Sequence, residues 1–437
     1  MDIEFPDAAA LADCNDYSVD DLPAFAVARR ERDPETVDDV PAAARGAVDA
    51  IEGFDDLEPG SSVAITAGSR GIEDMPAVLA AAVERLAERG FEPFVVPAMG
   101  SHGGATADGQ RETLAALGIT EERLGCPVRS SMAVEAVGED DLGRPVYAAV
   151  DACDADAVLL ANRVKPHTDF RGDVESGLAK MAVIGLGKHR GAESLHNAAI
   201  ATDFADVIAD RYTVLRRETP IVGGIALVEN AHHRAALIDG VDAADVRDRE
   251  PELLDRAREH LATLPVDDLD LLVVDEMGKD KSGTGMDTNV LGRYDFHGEA
   301  EPDSPSITRV YARSLTAPSH GNAVGIGLAD FVRRDLVADV DFEDTYVNIA
   351  TSGEPRRAKL PFVVPDDATA LLLSCSTTGV ADPGELRIAR IPSTMDPDSL
   401  VVSEPVADEL RERPDVTVGS ATPLALSGGT LTADPYR

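Results

Sequence analysis

Residues 61–76 read "SSVAITAGSRGIEDMP". The first six, rich in apolar and β-branched side chains, predict a strand, and "AGSRGIED" predicts a turn. Pro76, with Asp74 or Met75 at the cap, opens a helix in which Val78, Leu79, Ala82, Val83 and Leu86 recur at helical spacing until Gly90 ends it. The unit then repeats. "FEPFVVPAM" (91–99) reads as a strand, "GSHGGAT" (100–106) as a loop, and "ADGQRETLAALG" (107–118) as a helix closed by Gly118. Strands alternating with helix-length amphipathic segments predict βα units around a mainly parallel sheet. Two glycine-rich loops thereby fall between a strand and a helix, where ligands bind in open α/β sheets.

Working outward, "DAVLLANRVKPH" (156–167) and "TPIVGGIALVEN" (219–230) supply further strands. The character resets near Pro265. "LPVDDLD" (264–270) reads as a linker, and "LDLLVVDEMG" (269–278) starts a second series of strands, with "TYVNIATS" (345–352) and "ATALLLSCS" (368–376) among them and "NAVGIGLADFVRRDLV" (322–337) helix-like. The expectation is a Rossmann-like, mainly parallel N-terminal α/β domain over 1–265 and a second α/β domain over 266–437. The active site is expected in the interdomain cleft, a common place for small-molecule sites.

The 437 residues carry 80 acidic and 40 basic side chains, a net charge of −40. Such a charge strains a compact state by self-repulsion and disfavours nucleic acid as a partner. Molar salt shortens the Debye length and removes most of the strain. Because the acids are scattered along the whole chain, they read as a solvated, halophile-like surface, the alternative being a polyacidic cation-binding face. The four cysteines show no CxxC or metal-knuckle spacing and read as reduced, packed thiols. The N-terminus has no signal-peptide pattern, and no apolar run approaches about 18 residues. A soluble, cytoplasmic protein with no membrane partner is expected.

Three constellations carry chemistry. In "GSRGIEDMP", Arg70 stands at a helix entry, where backbone N–H groups favour an anion and a guanidinium matches a carboxylate or phosphate; a tight turn with a surface arginine is the plain alternative. In "GSHGGAT", flanking glycines leave the His102 imidazole uncovered. The third is "KPHTDFRGDVESGLAKMAVIGLGKHRGAESLH" (165–196), which holds His167, His189 and His196. Pro166 keeps Lys165 extended, so His167 is presented at a strand end. Lys180 lies in an apolar run, where it must snorkel to solvent or lose its proton; desolvation would free a nucleophilic lone pair. His189 and His196 lack the i, i+4 spacing of a helical zinc pair. "AHHR" (231–234) reads as a solvated turn. "GKDKSGTGMDTN" (278–289) follows a strand but is no Walker A loop and suits a lid.

In order along the chain, "GSRG", "PAMGSHGGAT", "KPHTDFRG…ESGLAK", "GLGKHRGAESLH" and "GMDTN" resemble the nickel-pincer lactate racemase family in its broader set of homologues. The resemblance implies a cofactor of nickel and a pyridinium-3,5-bisthiocarboxylic acid mononucleotide, tethered through a thioamide. Lys180 would be the tether and His196 the metal ligand; soft sulfur and imidazole donors suit nickel. His102 and His167 would be the acid/base pair for inverting C2 of a 2-hydroxy acid as its hydride moves to and from the cofactor. Arg70 would hold the substrate carboxylate. The loops carrying Ser69, Gly71, Gly103 and Gly104 would hold the cofactor phosphate. Enzymes that assemble the cofactor are implied as partners.

Two departures bear on the substrate. The lactate enzymes carry a glutamine and a lysine just after the segment resembling "GMDTN"; here the region reads "VLGRYD", which leaves Arg293 or Lys281 for that role. The interval from His167 to Lys180 is also longer by a few residues. Both favour a larger or sugar-derived 2-hydroxy acid over lactate. Two other classes use some of the same residues: a His-rich divalent-metal hydrolase without a lysine tether, and a non-catalytic carboxylate-binding protein.

Overall fold

The computed structural model describes residues 4–14, 16–199, 203–352, 354–432 and 435–436, without the side chains of residues 196–199 and 351–352. The chain forms two compact units, Pro34–Leu261 and a second made of Met1–Asp33 with Ala262–Arg437. The first 33 residues therefore leave the N-terminal domain in which a single boundary at 265 would place them. Strand β1 (Phe25–Arg30) pairs antiparallel with Ser399–Ser403 and Val416–Val418. Its partners are so distant in sequence that no local pattern announces the pairing.

In the unit Pro34–Leu261, the strands are β2 (Ser62–Ala67), β3 (Glu92–Pro97), the hairpin β4 (Val134–Glu139) and β5 (Pro145–Ala149), β6 (Ala157–Arg163), β7 (Ile221–Glu229) and β8 (Ala235–Asp242). The main sheet runs β3-β2-β6-β7-β8, with β8 antiparallel at one edge and the rest parallel. Its helices are α1 (Val40–Ala50), α2 (Met75–Glu88), α3 (Ala107–Ala116), α4 (Lys188–Ala199), α5 (Phe204–Glu218) and α6 (Val246–His260). Val63 and Ile65 of β2 pack with Val48 of α1 and Leu79 of α2, while Ala64 faces the opposite core with Ile208 of α5 and Leu254 of α6. Burial on both faces explains why these strands read as nearly continuous apolar runs.

The chain passes from β2 to β3 on one side and then to β6 on the other. This reversal opens a crevice at the carboxyl ends of β2 and β6, the general ligand position in such sheets. The Gly68–Arg70 turn and the Asn162–His167 segment leave the sheet there.

The second unit has β9 (Asp268–Met277), β10 (Ser306–Leu315), β11 (Phe331–Arg333), β12 (Phe362–Val364), β13 (Ile388–Ile391), β14 (Ser399–Ser403) and β15 (Val416–Val418). They form one sheet in the order β12-β11-β10-β9-β13-β14-β1-β15, parallel from β12 to β13 and antiparallel beyond. Both "TYVNIATS" and "ATALLLSCS" are helical, within α7 (Phe342–Ser352) and α8 (Asp367–Thr377). Apolar runs this short fit either period. In α8 the Asp366 carboxylate caps the helix by accepting from the Thr369 N–H at 2.8 Å, and Ala370, Leu371, Ser374 and Cys375 form its buried face. The helix-like 322–337 is interrupted by β11, whose Val332 pairs with Ala312 and Val363, so only Arg334–Ala338 is α-helical. Among the described residues no helix is long and apolar enough to cross a membrane.

Candidate active site

The turn after β2 carries Arg70 between Ser69 and Gly71. Arg70 keeps a solvent-facing surface, yet the surrounding protein strips hydration from its guanidinium. That desolvation and the neighbouring Arg163 lower its pKa, against the pull of Asp169. A Cβ on Gly71 would meet only Leu117, at an ordinary 3.8 Å, so packing does not require glycine there.

The segment after β6 leaves the sheet and returns through a bridge between Lys165 and Ser176. Between them lies a loop organised by Glu175, whose residue is fully buried. Its carboxylate accepts from the His167 N–H at 2.5 Å and the Gly172 N–H at 3.3 Å. It also pairs with Arg258 at 2.7 Å and Arg171 at 3.3 Å. Buried charge is tolerated here because it is both paired and hydrogen-bonded. The His167 ring stacks on Phe170 at 4.4 Å between centroids. The Asp169 N–H donates to its Nδ1 at 3.1 Å, which puts the proton of the neutral ring on Nε2.

Lys180 ends a helical turn, Leu178–Lys180, that runs directly into a π-helix, Met181–Leu186. Such segments are rare and are frequent at functional sites. Its Nζ lies 5.7 Å from the centroid of the Phe170 ring. Burial lowers the amine's pKa to about 8; Asp169 and Glu175 oppose the shift, and Arg70 adds to it. Arg70, Asp169, Glu175 and Lys180 thus act on one another electrostatically, and His167 shares the Phe170 surface with Lys180.

His102 follows β3. Its Nδ1 donates to the Met99 carbonyl at 2.9 Å, so in the neutral ring the lone pair is on Nε2. Gly103 and Gly104 have φ of 67° and 63°, and a Cβ on Gly103 would stand 2.5 Å from the Gly109 backbone. At Gly103 both the left-handed conformation and the close packing require glycine. The loop packs on the Lys180 segment, where a Cβ on Gly100 would lie 3.2 Å from Ile184 of the π-helix; so does the Arg70 turn, where a Cβ on Gly68 would lie 3.1 Å from Met181.

Three supporting residues escaped sequence reasoning. Lys188 is 1% exposed and left-handed at φ 54°. Its Nζ donates to the Pro97 carbonyl and to Gln110 Oε1, while Gln110 Nε2 donates to the Gly100 and His102 carbonyls. The His102 loop therefore hangs from a buried lysine through one amide. Asn162 Nδ2 donates to the Gly177 carbonyl at 2.8 Å, fixing the approach to Lys180.

The third is Glu250 of α6, which is 1% exposed. Its Oε2 accepts from the Ala179 N–H at 3.0 Å, and the Leu178 N–H also bonds to the carboxylate, while among the described residues the buried Oε1 has no hydrogen-bond partner. It caps the turn that presents Lys180. Burial raises its carboxyl from 4.5 to about 7, against the pull of the two N–H groups. Because the folded state then holds the proton more tightly, stability falls as pH rises from 4.5 to about 7 and is level above. Glu250→Gln keeps the shape and cannot ionise. Urea titrations should find it more stable than the parent by about 3 kcal/mol at pH 8 and equal at pH 4.5. A difference independent of pH would contradict the assignment.

His196 lies on α4, and its side chain is outside the described residues. His189 is exposed on the same helix. In the second unit, the Arg293 guanidinium is engaged by Asp330 at 2.8 Å and by the Leu328 and Ile307 carbonyls. Lys281 follows β9, 3.6 Å from Glu276 and 3.9 Å from Asp280. Among the described residues no three His, Cys, Asp or Glu gather as a ready-made metal-ligand set.

No known protein-family profile matches the chain, and no curated protein sequence matches it. Among solved structures, it is similar to the lactate racemase apoprotein from Thermoanaerobacterium thermosaccharolyticum. The match has a TM-score of 0.52 and 13% sequence identity, and covers 87% of this chain and 95% of that one. The chain shares its α/β fold with that racemase. At this identity the likeness speaks for the fold, and function has to be argued from the site.

Proposed function

We propose that the protein is an isomerase that inverts C2 of a 2-hydroxy acid at the carboxyl ends of β2, β3 and β6. The observation that carries this reading is the setting of Lys180, a largely desolvated amine with a pKa of about 8 that shares its surroundings with Arg70 and His167. A neutral amine held beside an aromatic ring is suited to covalent attachment. The residues present fit a lysine-tethered nickel-pincer nucleotide in this respect, with Lys180 as the tether, His196 as the proposed nickel ligand, and Ser69, Gly71, Gly103 and Gly104 as backbone for its phosphate. When bound, such a group supplies a reversible acceptor for the C2 hydride.

The protein's own part is binding and proton transfer. Arg70 offers a planar fork to the substrate carboxylate. Because its Nδ1 donates to the Met99 carbonyl, the neutral His102 ring has its lone pair on Nε2 and can take the hydroxyl proton there. His167 carries its neutral-form proton on Nε2, because Nδ1 accepts from the Asp169 N–H, so Nε2 is the atom it offers as a donor. One imidazole is thus set to accept and the other to donate, as inversion requires. The hydrolase alternative has no ready-made ligand set among the described residues to favour it.

The test is racemisation of single-enantiomer 2-hydroxy acids in deuterium oxide by protein produced alongside cofactor-assembling enzymes. Inversion with the C2 hydrogen retained is expected. Deuterium at C2 would indicate proton abstraction and overturn the hydride route.

A further inference from the structure

The "AHHR" turn closes the hairpin between β7 and β8 beside the Arg70 turn. Asp74, whose side chain makes no cap for α2, holds it there: Oδ2 accepts from the Ala235 N–H at 2.7 Å and from Arg234 Nε at 3.3 Å. His233, at φ 60°, is thereby brought to the rim of a hollow of about 310 Å³ that Arg70 also lines. This volume lies at the low end of small-molecule sites, about 300–1,000 Å³. Its walls are aliphatic, from Ile72 and Met75 at the entry to α2 and from Leu117 and Ile119 after α3. Of its charged lining, Glu73 faces Arg234 at 3.8 Å, which leaves Arg70 as the cation for an acidic ligand. The His233 ring makes no hydrogen bond among the described residues.

An apolar hollow beside a desolvated guanidinium matches an amphipathic acid. Resting on the racemase reading, we propose that the hollow receives the substrate's side chain, and that the substrate is a 2-hydroxy acid with an aliphatic chain of several carbons. The carboxylate lies on Arg70 and the chain on Ile72, Met75, Leu117 and Ile119. His233 at the rim bounds the length of the chain. A methyl group would leave most of the hollow to water.

Calorimetric titration with lactate and with 2-hydroxy-4-methylpentanoate tests this, on protein produced alongside cofactor-assembling enzymes. Each buried methylene strengthens binding by about fourfold, so the longer acid should bind at least about tenfold tighter. Leu117→Trp, which fills the hollow, should remove that preference. Leu117→Ala, which enlarges it, should retain binding of the longer acid and extend it to bulkier chains. Equal affinity for the two acids, binding of neither, or a preference that persists in Leu117→Trp overturns the proposal. Because affinity is read without turnover, the two readings fail separately. Preferred binding without racemisation sinks the racemase assignment alone; racemisation of lactate with no preference for the longer acid sinks the hollow alone.

Discussion

Lys180→Ala is expected to abolish racemisation to the limit of detection and to remove any covalent adduct from the intact mass. The expectation rests on the amine's surroundings. With its pKa lowered to about 8, roughly half of the Lys180 side chains are neutral at pH 8, whereas an ordinary lysine amine is almost wholly protonated there. The neutral amine alone has the lone pair for attachment. Adduct formation should therefore rise with pH and level off above about 8. Lys180→Arg should fail as completely as alanine, since a guanidinium stays charged and cannot form the link. Racemisation that survives in either variant would contradict the tether.

His102→Ala is the second large effect. Removing a positioned general base costs about 10²–10⁴-fold in rate. The loss should fall on kcat with little change in KM, because Arg70 and the aliphatic walls are untouched. The backbone anchor from the His102 N–H to the Met99 carbonyl, at 3.1 Å, does not depend on the imidazole, so the loop should keep its course. Nickel content and the mass increment of the adduct should match the parent's. A loss smaller than about tenfold would remove His102 from the proton-transfer role.

What the sequence could carry was set by the range of each interaction. The unit from β2 to α3 was legible because its signals are local: an apolar run, Pro76 at the helix entry, and Gly90 and Gly118 at the exits with φ of 90° and 75°. The segments of α7 and α8 read as strands in isolation because the faces they bury are defined only by folding. Strand β1 was assigned to the wrong unit because its partners lie near the other end of the chain.

The candidate site divides in the same way. Arg70, His102, His167 and Lys180 stand out because glycine-rich loops and an apolar run make polar residues conspicuous. Glu175, Lys188 and Glu250 look like surface charges in the sequence, and nothing local says that each is buried. They hold the His167 loop, the His102 loop and the Lys180 turn through contacts with Arg258, Gln110 and Ala179. His233 reads as a solvated turn residue because only the Asp74 contact brings the hairpin to Arg70.

Lys180 is proposed to carry a nickel-holding cofactor. Intact-mass and metal analysis of the protein, produced alongside cofactor-assembling enzymes with a lactate racemase prepared in parallel as the loading control, tests it most directly. A mass increase confined to the peptide containing Lys180, with about one nickel per chain, is expected for one site with sulfur and imidazole donors. An unmodified chain beside a loaded control, or zinc or manganese bound without an adduct, would contradict it.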